Sequence, residues 1–203
     1  MSESQEFFNA ISNNDLKTAK DLFKNRNVDI NFSEPNFNNT PLSYAAYLGL
    51  TKCVDYLLSI NADLNKPCGL GLTPLMTACC GGKVKGSKIA LKLIEKGADV
   101  NYIRKSDEMT ALKFAVGSCS SEVIKALIDN GADIDGPNDT DQTAFILAAR
   151  YNDIESLKIL LDAGANPNIT CKLGWANGLN ALEVAKLEKS KKSIAFLSSI
   201  YGT

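Results

Sequence analysis

The feature that most constrains the fold is a short motif that recurs along the chain at nearly constant spacing. Five related heptapeptides read TPLSYAA, TPLMTAC, TALKFAV, TAFILAA and NALEVAK, and they begin at Thr40, Thr73, Thr110, Thr143 and Asn180. Their starts are 33, 37, 33 and 37 residues apart. A second pattern keeps the same register, in segments that end at Asn65, Asn101, Asp135 and Asn168, with a weaker copy that ends at Asn31. A period of this length predicts one small unit that is copied and stacked.

The residues of each copy favour two helices. The threonines suit helix N-caps, because their hydroxyls accept backbone N–H groups, and Pro41 and Pro74 follow at the first helical position. Each first helix is short and carries alanines on one side, which lets a neighbouring helix approach closely. The second segments space their apolar residues at three and four, which predicts a helix with one buried face. Gly97, Gly131 and Gly164 follow these helices at the position where a residue with left-handed backbone angles commonly ends a helix. Asn61 has the same position in its own copy.

These linked motifs resemble the ankyrin repeat, whose signature is T-P-L-H-x-A followed by L-L-x-x-G-A-x-x-N. The resemblance covers essentially the entire chain. It implies an all-α ankyrin-repeat solenoid of about six stacked helix-turn-helix units with hairpin-like finger loops. We expect a single domain, residues 1–203, with units at about 3–35, 36–68, 69–105, 106–138, 139–175 and 176–203. The first and last units are capping units, whose apolar residues cover the exposed edges. These residues are Phe7, Phe8, Ile11, Leu16, Ala19, Leu22 and Phe23 at one end, and Leu182, Val184, Ala185, Ile194, Phe196, Leu197 and Ile200 at the other.

The stretch CCGGKVKGSK, residues 79–88, has a superficial likeness to a phosphate-binding loop. Gly81 and Gly86 have the right separation, but Ser87 and Lys88 follow in reversed order and no buried strand precedes them. Compared with the second unit, this copy is three residues longer between its helices, at about residues 83–85. We therefore predict an enlarged interhelical turn, with Gly82 ending the first helix and Ser87 capping the second. The fifth interval instead lengthens the finger ITCKLGWANGL after Asn168.

The chain departs from the family pattern at two kinds of position. Ser43, Met76, Lys113 and Ile146 replace the signature histidine, so the hydrogen bonds that histidine makes between units are expected to be missing. Cys119 stands where other copies have Gly49, Gly82 or Asn152, which leaves the turn geometry of the fourth unit open.

Composition excludes several kinds of chemistry. The 203 residues contain no histidine, which removes Ser-His-Asp and Cys-His catalysis and His-containing zinc sites. The six cysteines form no C-x-x-C pair, and we expect reduced thiols. The 22 Lys plus Arg residues nearly balance the 23 Asp plus Glu residues, so the net charge creates no positive electrostatic field that would attract nucleic acid. We predict no catalytic residue, metal site or cofactor. Neither an export signal nor a membrane span is indicated, so we expect a cytoplasmic protein.

The family resemblance implies that the finger tips and the exposed side of the first helices form a concave surface that holds a partner protein. The partner-binding residues that it implies are Phe37, Asn39, Tyr47, Leu72, Asp107, Met109, Gln142, Arg150, Tyr151 and Trp175. Aromatic residues and arginine often carry binding energy at interfaces. In an alternative interpretation, Tyr47 and Tyr151 pack against adjacent helices and Trp175 folds back over the last unit.

Other functions are weighed against this one. Finger carboxylates such as Asp107 and Asp139 offer an enzyme no visible catalytic pair. Lysines 83, 85, 88, 92 and 96 form a basic ridge that faces only Glu95 locally, and a solvated helix face explains it better than a nucleic-acid site. Asn65 and Asn101 resemble hydroxylation sites of animal ankyrin repeats, although a structural role as loop ties suffices. We expect a monomer that binds a protein as an inhibitor, an adaptor, a bacterial effector translocated into a host, or an immunity protein that neutralises a toxin.

Overall fold

The computed structural model describes residues 1–137, 142–172 and 174–202, except for the side chains of Lys83 and Trp175. These residues contain twelve α-helices and no β-strand. The chain divides into two compact units, Met1–Asp99 and Val100–Thr203. The helices alternate between first and second members of antiparallel pairs. The first helices are α1 (Glu3–Ser12), α3 (Pro41–Tyr47), α5 (Pro74–Cys80), α7 (Ala111–Ala115), α9 (Ala144–Arg150) and α11 (Ala181–Leu187). The second helices are α2 (Leu16–Asn25), α4 (Thr51–Ser59), α6 (Ser87–Glu95), α8 (Ser121–Asp129), α10 (Ile154–Asp162) and α12 (Lys191–Tyr201).

Within each compact unit the helix pairs are stacked. In the first unit, α1 contacts α3, α3 contacts α5, and α4 contacts α6. In the second unit, α9 contacts both α7 and α11, and α10 contacts both α8 and α12. The alanine faces of the first helices and the apolar stripes of the second helices lie in these contacts and are buried. The all-helical prediction is confirmed, and the division into one domain of six repeats stays a prediction.

The predicted helix ends are confirmed in detail. The hydroxyls of Thr40, Thr73, Thr110 and Thr143 accept the backbone N–H three residues later, at 3.1 to 3.3 Å. Asn180 does the same for α11, and the Glu183 carboxylate accepts the Asn180 N–H in return. Each second helix that the sequence predicted to end in a left-handed residue does so, at Asn61 (φ 61°), Gly97 (84°), Gly131 (82°) and Gly164 (95°).

Phe23 covers the first edge only in part. Phe7 and Ile11 are fully buried and Leu22 is buried, but Phe23 is 38% exposed. Its ring meets the Tyr56 ring edge-on, with 6.4 Å between ring centroids. An edge residue has neighbours on one side only, which leaves the other side of the ring in water.

The insertion in the third pair is helical, and the prediction that Ser87 is an N-cap is wrong. A single π-helical turn, Gly82–Gly86, leads directly into α6. Ser87 has helical angles and is buried, and it is the first residue of α6 instead of the N-cap that precedes the helix. Gly82 does have the predicted left-handed conformation, at φ 87°. The chain thus absorbs its extra residues in a wider helical turn, a common device for a local insertion in a helix.

The fourth pair resolves the question that Cys119 raised. Its left-handed residue is Gly117 (φ 75°), two positions earlier than in the pairs that use Gly49, Gly82 and Asn152. Helix α7 accordingly has five residues, whereas α3, α5, α9 and α11 have seven. Cys119 is buried, and its N–H donates to the Ala115 carbonyl at 2.8 Å. An alanine side chain at position 117 would also lie 3.1 Å from the Tyr151 ring.

Lys113, one of the residues that replace the signature histidine, forms hydrogen bonds of its own. Its side chain is only 2% exposed. Its Nζ donates to the Pro137 carbonyl at 2.5 Å and to the Glu108 carbonyl at 3.3 Å. The lysine therefore connects α7 to the loop that follows α8. Both carbonyls lie within the predicted fourth unit, so the expectation that bonds between units are missing stays a prediction.

A ladder of side-chain hydrogen bonds joins successive pairs within each unit. The Asn31 side chain accepts the Asp63 N–H at 2.8 Å, and the Asn65 side chain accepts the Asp99 N–H at 2.9 Å. In the second unit, Asn101 accepts the Asp133 N–H at 2.9 Å and also donates to the Gly131 carbonyl at 2.8 Å. Side-chain to backbone bonds of the predicted kind are thus present at Asn65 and Asn101, and they reach the loop that follows the second helix of the next pair.

We expect Asn101→Ala to lower the free energy of unfolding by about 2 kcal/mol and Asn65→Ala by about 1 kcal/mol, because each net hydrogen bond contributes roughly 1 kcal/mol. The measurement is urea-induced unfolding followed by circular dichroism. Equal losses for the two variants would contradict the different bonding of the two side chains.

Candidate partner-binding face

The loops that precede the first helices are compact hairpins, which we call fingers. In the first finger, residues 34–39, the Glu34 N–H donates to the Asn39 carbonyl at 3.0 Å and the Asn38 N–H donates to the Glu34 carbonyl at 2.9 Å. The third finger, residues 103–109, repeats this pattern between Arg104, Glu108 and Met109. Asn38 and Glu108 both have left-handed angles, with φ 50° and 56°. The fingers are therefore held by their own backbone and present their tips in a fixed conformation.

Glu34 braces the first finger with its carboxylate, and the residue is only 5% exposed. Its oxygens accept the backbone N–H groups of Asn36 at 2.8 Å, Phe37 at 2.7 Å and Asn39 at 3.2 Å. The Asn39 side-chain amide donates to it as well, at 3.2 Å. Burial alone would raise the pKa of this carboxyl, but the donated hydrogen bonds outweigh burial and lower the pKa below its ordinary value of 4.5. Sequence analysis missed Glu34, because nothing in a polar loop indicates which acid turns inward.

The third finger is braced by an ion pair. The Arg104 guanidinium donates two hydrogen bonds to the Asp107 carboxylate, and the Nε bond is 2.7 Å long. The hydrogen bond from Arg104 lowers the pKa of Asp107 below its ordinary value, although burial opposes this, and the Met109 N–H contributes in the same direction. Arg104 also lies over the Phe114 ring, 5.2 Å from its centroid. Asp107 thus stabilises the finger, and its carboxylate is committed to Arg104.

The first two fingers lie side by side. The Gly69 N–H donates to the Phe37 carbonyl at 2.8 Å, and a side chain at position 69 would lie 2.7 Å from that oxygen. This close approach requires glycine at position 69. It holds Phe37 and Leu70, each 62% exposed, on neighbouring finger tips.

The other predicted site residues differ in their accessibility. Tyr47 and Tyr151, at the ends of α3 and α9, are 57% and 54% exposed. Five predicted residues are half-buried, and these are Asn39, Leu72, Asp107, Met109 and Arg150. Arg150 lies over the Tyr151 ring, 5.9 Å from its centroid, and its Nε donates to Glu188 at 3.2 Å.

Two of the predicted site residues do not lie on an exposed surface that the structure describes. Gln142 is only 4% exposed, so the expectation that it faces solvent is wrong. It directly precedes the N-cap Thr143, where the chain turns into the core. The side chain of Trp175 lies outside the described residues, as do Asp139 and Thr140 of the fourth finger.

Exposed apolar side chains are concentrated on one kind of position. Ten large apolar residues are exposed among the described side chains. Seven of them lie on fingers or at the ends of first helices, and these are Phe37, Leu70 and Ile103 on the fingers and Tyr47, Leu48, Tyr151 and Leu187 at the helix ends. The other three are Met1, Phe23 and Val84. In each compact unit, we call the fingers together with the C-terminal ends of the first helices the binding face.

A groove of about 360 Å³ opens on the binding face of the second compact unit. Its apolar walls are Met109 of the third finger, Phe114 and Val116 at the end of α7, and Tyr151 at the end of α9. Lys113, Gly117 and Ser118 complete the lining. The groove lies where the short helix α7 ends, so the early turn at Gly117 is part of its wall.

The basic ridge differs from its prediction in one respect. Lys92 of α6 forms an ion pair with Asp55 of α4, so the expectation that the ridge faces only Glu95 is wrong. Lys88 and Lys96 are exposed on the same helix. The ion pair reduces the local positive charge, which favours the solvated helix face over a nucleic-acid site.

The described part of the chain offers no cluster of three or more Cys, Asp or Glu side chains that could hold a metal ion. Among its helices, none combines the length and the apolar character needed to cross a membrane.

Stacked helix pairs joined by hairpin fingers, with most of the exposed large apolar residues on the fingers and first-helix ends, define a repeat protein of the interaction class. A family model described as ankyrin repeats (3 copies) matches residues 7–104 and 83–171, which together include more than half of the chain. The chain belongs to the ankyrin-repeat family. Ankyrin repeats are protein–protein interaction modules, and proteins built from them are generally non-enzymatic.

Individual relatives agree with this assignment. The chain is 32% identical over 133 residues to the ankyrin repeat and KH domain-containing protein mask-1 of Caenorhabditis elegans, an alignment that covers 64% of this chain and 5% of that protein. It is 36% identical over 135 residues to an ankyrin repeat protein of Rickettsia felis, with coverage of 63% and 58%. The chain therefore spans less than two thirds of the length of either relative.

A solved structure is similar over nearly the full length. It is the Bd0816 predatory endopeptidase from Bdellovibrio bacteriovorus in complex with immunity protein Bd3460. One chain of that complex matches with a TM-score of 0.82 and 26% identity, covering 97% of this chain and 98% of the other.

Proposed function

We propose that this chain is a non-enzymatic binding module that holds a partner protein on its binding face. The observation that carries the proposal is the distribution of exposed apolar residues. Seven of the ten exposed large apolar side chains that the structure describes lie on the fingers or first-helix ends. Covering a water-exposed aromatic ring with a partner lowers the free energy, and aromatic residues dominate the energetics of many interfaces.

The rigidity of the fingers supports the same proposal. Phe37 is exposed, yet its backbone N–H is bound by Glu34 and its carbonyl by Gly69. A side chain presented on a fixed backbone loses less conformational entropy when it binds than one on a flexible loop. The hydrogen bonds from Glu34 and Gly69 therefore favour a recognition role for the Phe37 finger tip. Packing of the core does not require Phe37 to be held in one conformation.

We expect Phe37→Ala combined with Leu70→Ala to weaken partner binding by about thirtyfold, which corresponds to roughly 1 kcal/mol for each ring or branched side chain. Binding is measured by titration calorimetry with the partner that co-purifies with the chain from its native organism. The matched control is Val84→Ala, which also removes an exposed apolar side chain but lies in the π-helical turn. Equal affinities for the double variant and the control would reject the binding face.

A second and narrower candidate is an immunity-type inhibitor that occludes an endopeptidase. The observation that favours it is the similarity, over nearly the full length of both chains, to a chain of an endopeptidase–immunity protein complex. The test is an assay of endopeptidases from the same organism with and without a stoichiometric amount of the chain. Inhibition that is lost in the Phe37→Ala and Leu70→Ala double variant supports this role. Full activity of every such endopeptidase in the presence of the chain rejects it.

A further inference from the structure

The groove at the end of α7 results from a local departure from the repeat. Helices α9 and α11 of the same unit have seven residues, whereas α7 stops after five and turns at Gly117. The last two helical residues that its neighbours possess are therefore absent from α7. Tyr151 closes one side of the resulting space and Met109 another, which leaves an open groove between a finger and two helix ends.

The groove is lined by apolar and polar groups in nearly equal parts, and water reaches its apolar groups only in part. Val116 is fully buried beneath it, while Met109 and Phe114 are half-buried. Tyr151 contributes a ring that is more than half exposed. The volume of about 360 Å³ lies at the small end of the range of ligand-binding pockets, which suits one large side chain better than an extended segment.

The cationic side chains around the groove already have ion-pair or hydrogen-bond partners. Arg104 lies over the Phe114 ring and is paired with Asp107. Arg150 lies over the Tyr151 ring and is paired with Glu188. The third cation is Lys113, whose amine donates to two backbone carbonyls.

The nearby acid Asp153 is committed as well. Its carboxylate accepts the Gly117 N–H at 3.2 Å and the Ser156 hydroxyl at 2.6 Å. A charged occupant would have to compete with these bonds while losing its own hydration, whereas a neutral occupant would leave them intact. The charge pattern therefore selects against an acidic or basic side chain.

We propose that this groove receives one neutral aromatic or long aliphatic side chain of the partner protein as an anchor. This proposal rests on the proposed function and specifies it for the second compact unit. The side chain fills the space left by the short α7 and contacts Met109, Phe114 and Tyr151. Anchors of this kind bind in desolvated pockets surrounded by polar contacts, and here the two arginine–carboxylate pairs supply the polar rim.

The first test uses capped single amino acids as probes. N-acetyl-phenylalaninamide and N-acetyl-leucinamide are titrated into the isotope-labelled full chain, with N-acetyl-aspartamide bearing a free carboxylate and N-acetyl-lysinamide as charged controls. We expect saturable shifts of the Gly117, Ser118 and Tyr151 amide resonances with the neutral probes and much weaker shifts with the charged probes. Absence of saturable shifts with both neutral probes, or equal shifts with the charged ones, would overturn the proposal.

Amino-acid substitutions test whether the neutral probes bind in this groove. Tyr151→Ala removes one wall of the groove and is expected to weaken neutral-probe binding by about tenfold. Tyr47→Ala is the matched control, because it removes an equally exposed tyrosine at the end of α3, in the other compact unit. Ser118→Trp, which fills the groove, gives a second check if its circular dichroism matches that of the wild type. Equal losses from Tyr151→Ala and Tyr47→Ala would overturn the assignment to this groove.

The purified partner separates failure of the anchor from failure of the proposed function. Weaker binding of the partner by Tyr151→Ala supports the anchor. If Phe37→Ala with Leu70→Ala weakens binding but Tyr151→Ala and Ser118→Trp do not, the proposed function survives and the anchor is rejected. If none of these variants weakens binding, both are rejected. A chain that sediments as a dimer, and as a monomer after Tyr151→Ala, would show that a second copy occupies the groove and would overturn the proposal.

Discussion

Replacing Gly86 with alanine is expected to lower the free energy of unfolding by about 3 kcal/mol, at the upper end of the usual cost of overpacking. Gly86 has ordinary helical angles (φ −62°), so the reason is space rather than backbone conformation. An alanine Cβ would lie 2.3 Å from the Ala78 carbonyl oxygen and 2.9 Å from the Gly81 carbonyl carbon. Both are backbone atoms, and neither can move without shifting α5 or the π-helical turn.

Thermal and urea-induced unfolding of Gly86→Ala measure this effect. Val84→Ala is the control, because Val84 lies in the same turn with its side chain 84% exposed, and we expect a change within about 0.5 kcal/mol. A Gly86→Ala variant as stable as Val84→Ala would show that the π-helical turn does not bring these backbone atoms together.

Replacing Glu34 with alanine is expected to cost about 3 kcal/mol, because three backbone N–H groups and one side-chain amide lose a buried charged acceptor. Each hydrogen bond to a charged group contributes about 1.5 to 3 kcal/mol net, and water can replace part of the lost bonding once the loop opens. The measurement is the urea midpoint together with amide hydrogen exchange at Asn36, Phe37 and Asn39. Unchanged exchange at these three amides would contradict the bracing role.

The same carboxylate gives a pH dependence with a definite sign. The pKa of Glu34 is lowered in the folded chain, so its contribution to stability is fully present above the ordinary value of 4.5 and is lost as pH falls through the folded pKa. We therefore expect the stability difference between the wild type and Glu34→Gln to shrink as pH falls below about 4.5. Asp107→Asn, at the other finger with a lowered pKa, should show a similar trend below its ordinary value of 3.8. A difference that grows on acidification would contradict the assignment.

The features that sequence predicted correctly are those with a local signal. Thr40, Thr73, Thr110 and Thr143 cap helices because a hydroxyl bonds a backbone N–H only three residues away. Asn61 adopts a left-handed conformation because the side chain of asparagine tolerates it better than most. The buried stripes follow from helical periodicity alone. Each of these properties depends on a few neighbouring residues, and the repeat supplies several aligned copies for comparison.

The features that sequence missed depend on space and on distant partners. Alignment placed Cys119 at the turn of the fourth pair, but the chain turns at Gly117, which shortens α7 and opens the groove. The inserted residues of the third pair form a π-helical turn, because the helix can widen where an open loop was expected. Lys113 reaches the Pro137 carbonyl, 24 residues away, and nothing near Lys113 in the sequence indicates that bond.

The sequence predicted where the candidate site lies, but it did not predict the contacts of the individual residues. The exposed positions of Phe37, Tyr47 and Tyr151 agree with the predicted face, and their role in binding stays a prediction. Asp107 was considered as a catalytic or contact residue, and the structure pairs it with Arg104. Glu34 and the groove had no sequence signal, because inward orientation is set by how a finger folds against its neighbours.

Hydrogen exchange of the chain with and without its purified partner tests the central claim most directly. The account predicts slower exchange on complex formation at residues 34–39 and 68–72, and at the ends of α3 and α9, with little change in α4, α8 and α10. Protection confined to the second helices, with the fingers exchanging as fast as in the unbound chain, would contradict it.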